Sequence, residues 1–161
     1  MTMQKLFVTF LGTGNLGRYA DAVSSLLALC IGTAIVYTAG MQTLFMLTFV
    51  LSIIAVFESG KFIANGGESA TVAIDKATGI WFAMMISLSV APTLHLPYVQ
   101  PLALLLTYLS FLGFEAKKPS TIGWMDRELK GGLGIVLADT VAGIASGVLA
   151  ALILTLLAKL F

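Results

Sequence analysis

Charge is what this sequence has least of. Only 11% of its 161 residues are Asp, Glu, Lys or Arg, against about 25% in an ordinary soluble domain. Apolar residues make up 58%, and mean hydropathy is +0.99. A chain so composed cannot clothe a core in water-binding groups, which excludes a soluble protein and leaves an integral membrane one. Net charge is +1, and no basic face outweighs its local acids, so a nucleic-acid partner is excluded. The one cysteine, Cys30, forms no internal disulfide and, lying in an apolar run, is expected as core filler. The one histidine, His95, falls among Pro92, Pro97 and Pro101 and reads as a loop residue. No Ser-His-Asp or Cys-His set lies on one face, which disfavours a covalent hydrolase. The first residues have little charge and no small-residue cleavage site after an apolar core, so a cleaved signal peptide is not expected.

Apolar runs are what the chain has in abundance. Residues 1–11 contain Leu6 to Leu11, too short to span a bilayer, and read as an interfacial or half-inserted helix stopped by Gly12-Thr13-Gly14-Asn15. Spanning segments are predicted over 22–39, 41–57, 79–92, 98–114 and from Leu133 onward. Gly40 allows only a tight antiparallel turn between the first two. Between the second and third lies a polar block, 58–78, with a helix restart near Ser69. The expectation is one all-α domain over 1–161, a polytopic helical bundle of four or five transmembrane helices plus the N-terminal interfacial helix.

Basic residues give the orientation. With the N-terminus inside, Lys5, Arg18, Lys61, Lys76, Lys117, Lys118, Arg127 and Lys130 all fall on the inner side, and only Lys159 falls outside. All eight carboxylates share that side: Asp21, Glu58, Glu68, Asp75, Glu115, Asp126, Glu128 and Asp139. The positive-inside rule accounts for the basic residues alone. Acids gathered with them at one end of a small bundle point to a site.

The densest polar stretch runs from Phe111 to Gly143 and holds four basic and four acidic residues. Pro119 and Gly131-Gly132 interrupt any continuous helix across it. Its cations alternate with acids, which suits a metal-and-phosphate site better than plain attraction to anionic lipid. Asp139 lies inside the last apolar run, where an ionisable group is costly unless paired or wetted, and is read as a carboxylate facing the bundle interior. Asp75 is either a helix cap or a site residue. Gly131-Gly132-Leu133-Gly134 is either an anion-binding helix start or a place where helices approach closely. The run Gly143-Ile144-Ala145-Ser146-Gly147 allows close packing within one chain or between two copies in a homo-oligomer.

The block Phe111-Leu112-Gly113-Phe114-Glu115-Ala116-Lys117-Lys118-Pro119, followed by Ile122, Asp126-Arg127, Lys130-Gly131-Gly132, Gly134-Ile135 and Asp139-Thr140-Val141-Ala142-Gly143, resembles the phosphatidylglycerophosphatase A family. Val72 to Trp81 resembles that family's second block. The resemblance implies a magnesium-dependent phosphatase of the bacterial inner membrane, with its N-terminus and site on the cytoplasmic side. It would release the terminal phosphate of phosphatidylglycerophosphate, an anionic phospholipid, by attack of water. Carried over, it implies catalytic roles for Asp75, Asp126 and Asp139. Mg2+ would be held by Asp75, Glu115, Asp126 and Asp139 with Glu68, and phosphate by Lys118, Arg127 and Lys130. The chain departs from the family pattern at Lys76, Leu112 and Ala138, where a carboxylate, an arginine and a second carboxylate are usual. The alternative is therefore an impaired or inactive member, natural or redesigned, that serves as a lipid-binding or structural membrane protein.

Overall fold

The computed structural model describes residues 2–161. It is helical throughout, with five helices long and apolar enough to cross a membrane. A short helix α1 (Met3–Val8) leads through two 3-10 turns into α2 (Ala20–Ala39). Gly40, at φ +89°, reverses the chain without any intervening loop, and α3 (Met41–Ala64) runs back. Then come α4 (Ile74–Val90), α5 (Val99–Lys117), the surface helix α6 (Ser120–Glu128) and the long α7 (Gly132–Leu160). The alternation of direction brings the starts of α2, α4 and α7 to the same end as the finishes of α3 and α5.

Helix α4 is the axis of the bundle. Two thirds of its apolar window is buried, against 22% for α2, α3 and α5, and α7 packs against it more extensively than any other helix does. Many of the residues turned inward are small or hydroxylic: Ser24, Ala28, Thr48, Ala55, Thr78, Ala83, Thr107, Ala142 and Ser146 are all fully buried. Many large apolar side chains point out instead, as Phe45, Phe49, Phe57, Leu109, Leu152 and Leu156 do, although Phe111, Leu44, Ile80, Met84 and Leu154 are fully buried. This inversion suits lipid, where apolar side chains gain nothing by hiding from their surroundings and helices adhere through close backbone approach. Gly79 and Gly143 are the tightest such approach. A Cβ on Gly143 would collide with the Gly79 carbonyl, and one on Gly79 would meet the Asp139 carbonyl and the Phe111 ring. Most buried hydroxyls find a partner locally or across helices, Ser25 and Ser59 excepted: the Thr107 hydroxyl donates to Ser87 Oγ at 2.6 Å, and the Trp81 indole Nε1 likewise donates to the Ala28 carbonyl at 2.8 Å.

Three expectations change. The second span continues to Ala64 rather than ending at Phe57, because Lys61 pairs with Glu58 one turn back at 2.9 Å; Gly66, at φ +86°, turns the chain just beyond it. The third span begins at Ile74, so Asp75 and Lys76 lie in its first turn, not ahead of it. Residues 120–128, which lie in the polar stretch between the last two predicted spans, form a helix of their own. Cys30 is exposed on α2, not core filler, because an apolar run in a membrane protein has a lipid face as well as a packed one.

These contacts rank the glycines. Gly143→Ala is expected to lower stability by about 1–3 kcal/mol through overpacking against backbone. Gly113→Ala, on the exposed face of α5 with nothing within 4 Å of its would-be Cβ, should raise it by about 0.5–1 kcal/mol. Melting temperatures in detergent, with the wild type between the two variants, check both.

Candidate functional site

The helix ends converge on a cavity of about 630 Å3 lined from six helices, α2 to α7, and the segments between them. Asp21 stands in the first turn of α2, Asp75 and Lys76 in the first turn of α4, and Glu115 in the last turn of α5. Asp139 lies about two turns into α7. Lys118 follows α5 directly at φ +39°, a left-handed conformation rare for lysine. Its N–H still closes onto the Phe114 carbonyl at 2.8 Å, and Pro119 prevents the helix from going on. The surface helix α6 and the turn after it supply Asp126, Arg127 and Lys130.

At the centre is Lys76. Its ammonium donates to Asp139 Oδ2 at 2.6 Å and to Asp75 Oδ2 at 3.1 Å. Glu115 Oε1 lies 3.1 Å away and Asp21 Oδ1 3.9 Å away. The Lys76, Asp75, Glu115 and Asp139 side chains are each at most 6% exposed. Asp75 does not cap its helix through the cap position, which Ala73 holds without a side-chain bond; its Oδ1 accepts from the Lys76 N–H at 2.9 Å. Glu115 Oε2 is buried and has no hydrogen-bond partner.

A second, more open pair forms the rim. Lys118 Nζ donates to Asp126 Oδ2 at 2.8 Å and lies 3.9 Å from Glu115 Oε1, with the Lys118 and Asp126 side chains 39% and 33% exposed. Partial burial works against the Lys118 charge, but the Asp126 hydrogen bond and the charges of Glu115 and Asp126 outweigh it and raise its pKa above the ordinary lysine value. Arg127 and Lys130 are exposed, line the same cavity and make no ion pair among the described residues.

Asp75, Glu115, Lys118, Asp126, Arg127, Lys130 and Asp139, all singled out from sequence, thus share one cavity. Glu68 does not join them. It is exposed on a separate shallow cleft with Lys5, Asn15 and Asn65, because the chain turns at Gly66 before α4 begins. Sequence reasoning missed Asp21 and the central place of Lys76. The signal for Asp21 was its position at the start of a span on the acid-bearing side. The glycines after α6 serve close approach: a Cβ on Gly132 would strike the Val56 carbonyl of α3, and one on Gly134 the Leu129 carbonyl. Leu112 is half-buried and Ala138 buried, and neither lines the cavity.

Magnesium does not fit the centre as this chain stands. The carboxylate oxygens that converge there converge on an ammonium, and no group of three acidic, His or Cys side chains is disposed to hold a metal ion among the described residues.

Five apolar helices with a charged cavity where their ends meet define a polytopic helical membrane protein with a polar site at one end of its bundle. Within that class, a family model for phosphatidylglycerophosphatase A matches residues 6–154, and the chain belongs to that family of phospholipid phosphatases. Comparisons with curated proteins and with solved structures give no match.

The two pairs differ in burial, and their removal should differ accordingly. Asp139→Ala strips a partner from a buried ammonium and is expected to cost about 3–5 kcal/mol. Lys118→Ala breaks a half-exposed pair and should cost less than about 1 kcal/mol. Because Lys118 has a higher pKa folded than unfolded, its contribution is complete below the ordinary lysine range and fades as pH rises through the raised value. Denaturation of both variants at neutral pH and of the wild type into the alkaline range checks the order and the sign.

Proposed function

We propose that the chain hydrolyses the terminal phosphate monoester of phosphatidylglycerophosphate at the cytoplasmic face of a bacterial inner membrane. Membership of the phosphatidylglycerophosphatase A family, matched over 6–154, carries this reading. The gathering of Lys118, Arg127 and Lys130 around one cavity supports it. So does the excess of basic residues at that end of the bundle, since such residues face the cytoplasm.

In this reading the lipid phosphate enters the cavity from the headgroup layer and meets Arg127 and Lys130, which make no ion pair among the described residues. Lys118 completes the set. Together they hold the phosphoryl oxygens and take up the charge that shifts onto them as the bond to the leaving oxygen breaks. Water attacks phosphorus on the side opposite the glycerol oxygen, the P–O bond to glycerol breaks, and inorganic phosphate and phosphatidylglycerol separate. Asp126, the site carboxylate of α6, orients the water and accepts its proton, and the leaving oxygen is protonated from solvent. Asp75 and Asp139 act from the centre by fixing the Lys76 ammonium beneath the phosphate.

A second reading follows from the same centre. If the Lys76 ammonium, with Ala138 and Leu112, has cost the chain its chemistry, the cavity binds the lipid phosphate and does not cleave it.

Purified protein in detergent, supplied with phosphatidylglycerophosphate, is expected to release inorganic phosphate. Arg127→Ala and Asp126→Asn should each lower the rate by about 10- to 1,000-fold with folding intact. Saturable binding of the lipid by folded wild type, without release, would establish the second reading in place of the first.

A further inference from the structure

We infer that Lys76 is the resident cation of this protein: its ammonium occupies the place of a divalent metal among Asp75, Glu115 and Asp139, so the folded chain binds no divalent cation there until that ammonium is removed.

The stoichiometry of donors and acceptors carries the first part. An ammonium has three N–H donors and no acceptor. Lys76 Nζ donates to Asp139 Oδ2 at 2.6 Å and to Asp75 Oδ2 at 3.1 Å, and it forms an ion pair with Glu115 Oε1 at 3.1 Å. These come from three different helices, α7, α4 and α5, as metal ligands in a helical bundle would. The distances suit N–H···O bonds, whereas Mg2+ requires oxygens at about 2.0–2.1 Å. With the Lys76 side chain only 6% exposed, the ammonium cannot swing into water without unpacking its stem. A metal entering beside it would set two cations against each other in a poorly solvated space.

The unused acceptor carries the second part. Glu115 Oε2 is buried there with no hydrogen-bond partner among the described residues. The group therefore offers more oxygen than a lysine uses. A hard divalent cation would take it up, since it draws its ligands from carboxylate oxygens and water.

This inference does not rest on the phosphatase reading, and its test needs no substrate. Binding of Mn2+, a probe for hard divalent cations, would be followed by the loss of its free-ion spin-resonance signal and by melting temperature. The proteins compared would be the wild type, Asp139→Asn, Lys76→Gln, Lys76→Arg and Lys76→Gln/Asp139→Asn, in detergent. Wild type and Lys76→Arg are expected to bind no Mn2+ in the cavity and to melt at the same temperature with Mn2+ or with chelator. Lys76→Gln should bind one ion per chain and melt several degrees higher with it than without; adding Asp139→Asn should abolish both effects. One saturable Mn2+ ion on the wild type, lost on Asp139→Asn, would overturn the inference. So would a folded Lys76→Gln protein that ignores Mn2+. If Lys76→Gln stays unfolded even with Mn2+, the wild-type titration decides alone by the same criterion.

Discussion

The interaction on which the rest depends is the buried ammonium of Lys76 among carboxylates from α4, α5 and α7. Four charged groups at the end of an apolar bundle are tolerable only if their partners arrive within hydrogen-bond distance, because removing one charge from the set strands the others. That requirement fixes how the helices meet. Lys76 and Gly79 are one turn apart on α4, as Asp139 and Gly143 are on α7. The place where the two backbones touch therefore lies one turn from the 2.6 Å bond between Lys76 and Asp139. Any bulk between the glycines would push α7 away and lengthen that bond. Close packing and charge pairing are one constraint expressed at two depths.

The direction of the helices contributes as well. Asp21 and Asp75 lie in the first turns of α2 and α4, where the helix dipole favours negative charge, and Lys118 follows the end of α5, where it favours positive charge. Short turns at Gly40 and between α4 and α5 enforce antiparallel neighbours, so three helix starts and two helix ends are forced to the same side. A topology of this kind gathers polar termini by construction. The sequence has only to place a charged residue near each terminus.

Spans, turns and the grouping of site residues were legible because they depend on local signals: runs of apolar residues, Gly40, Pro119, and acids that alternate with bases. Three kinds of feature were not. Residues 58–64 and 120–128 look polar, yet they are helices, because ion pairs and an amphipathic face suffice to hold a helix at a boundary where apolar length is no longer needed. Cys30 was misplaced because hydropathy does not distinguish a lipid-facing residue from a packed one; only the small residues of the packed face do that. Lys76 reads in one dimension as a basic residue where a carboxylate is usual, hence as a loss. In three dimensions it is the hub, since Asp139 lies 63 positions away along the chain and nothing local announces the pairing.

The cavity has two zones with different work to do. The centre is buried, and its ammonium lies within 3.1 Å of three carboxylate oxygens, so it is suited to holding charge still. The rim is more exposed, and part of it stands on α6, whose Ile122 is buried while Trp124 is half exposed. Tryptophan is favoured at membrane–water interfaces, and Arg127 follows three residues on. The exposed cations stand at the rim of the cavity and the buried cluster lies behind them, and α6 carries part of that outer set. A loop in its place would scatter Asp126, Arg127 and Lys130, whereas one helical turn presents Asp126 and Arg127 together toward the cavity that Lys118 already enters.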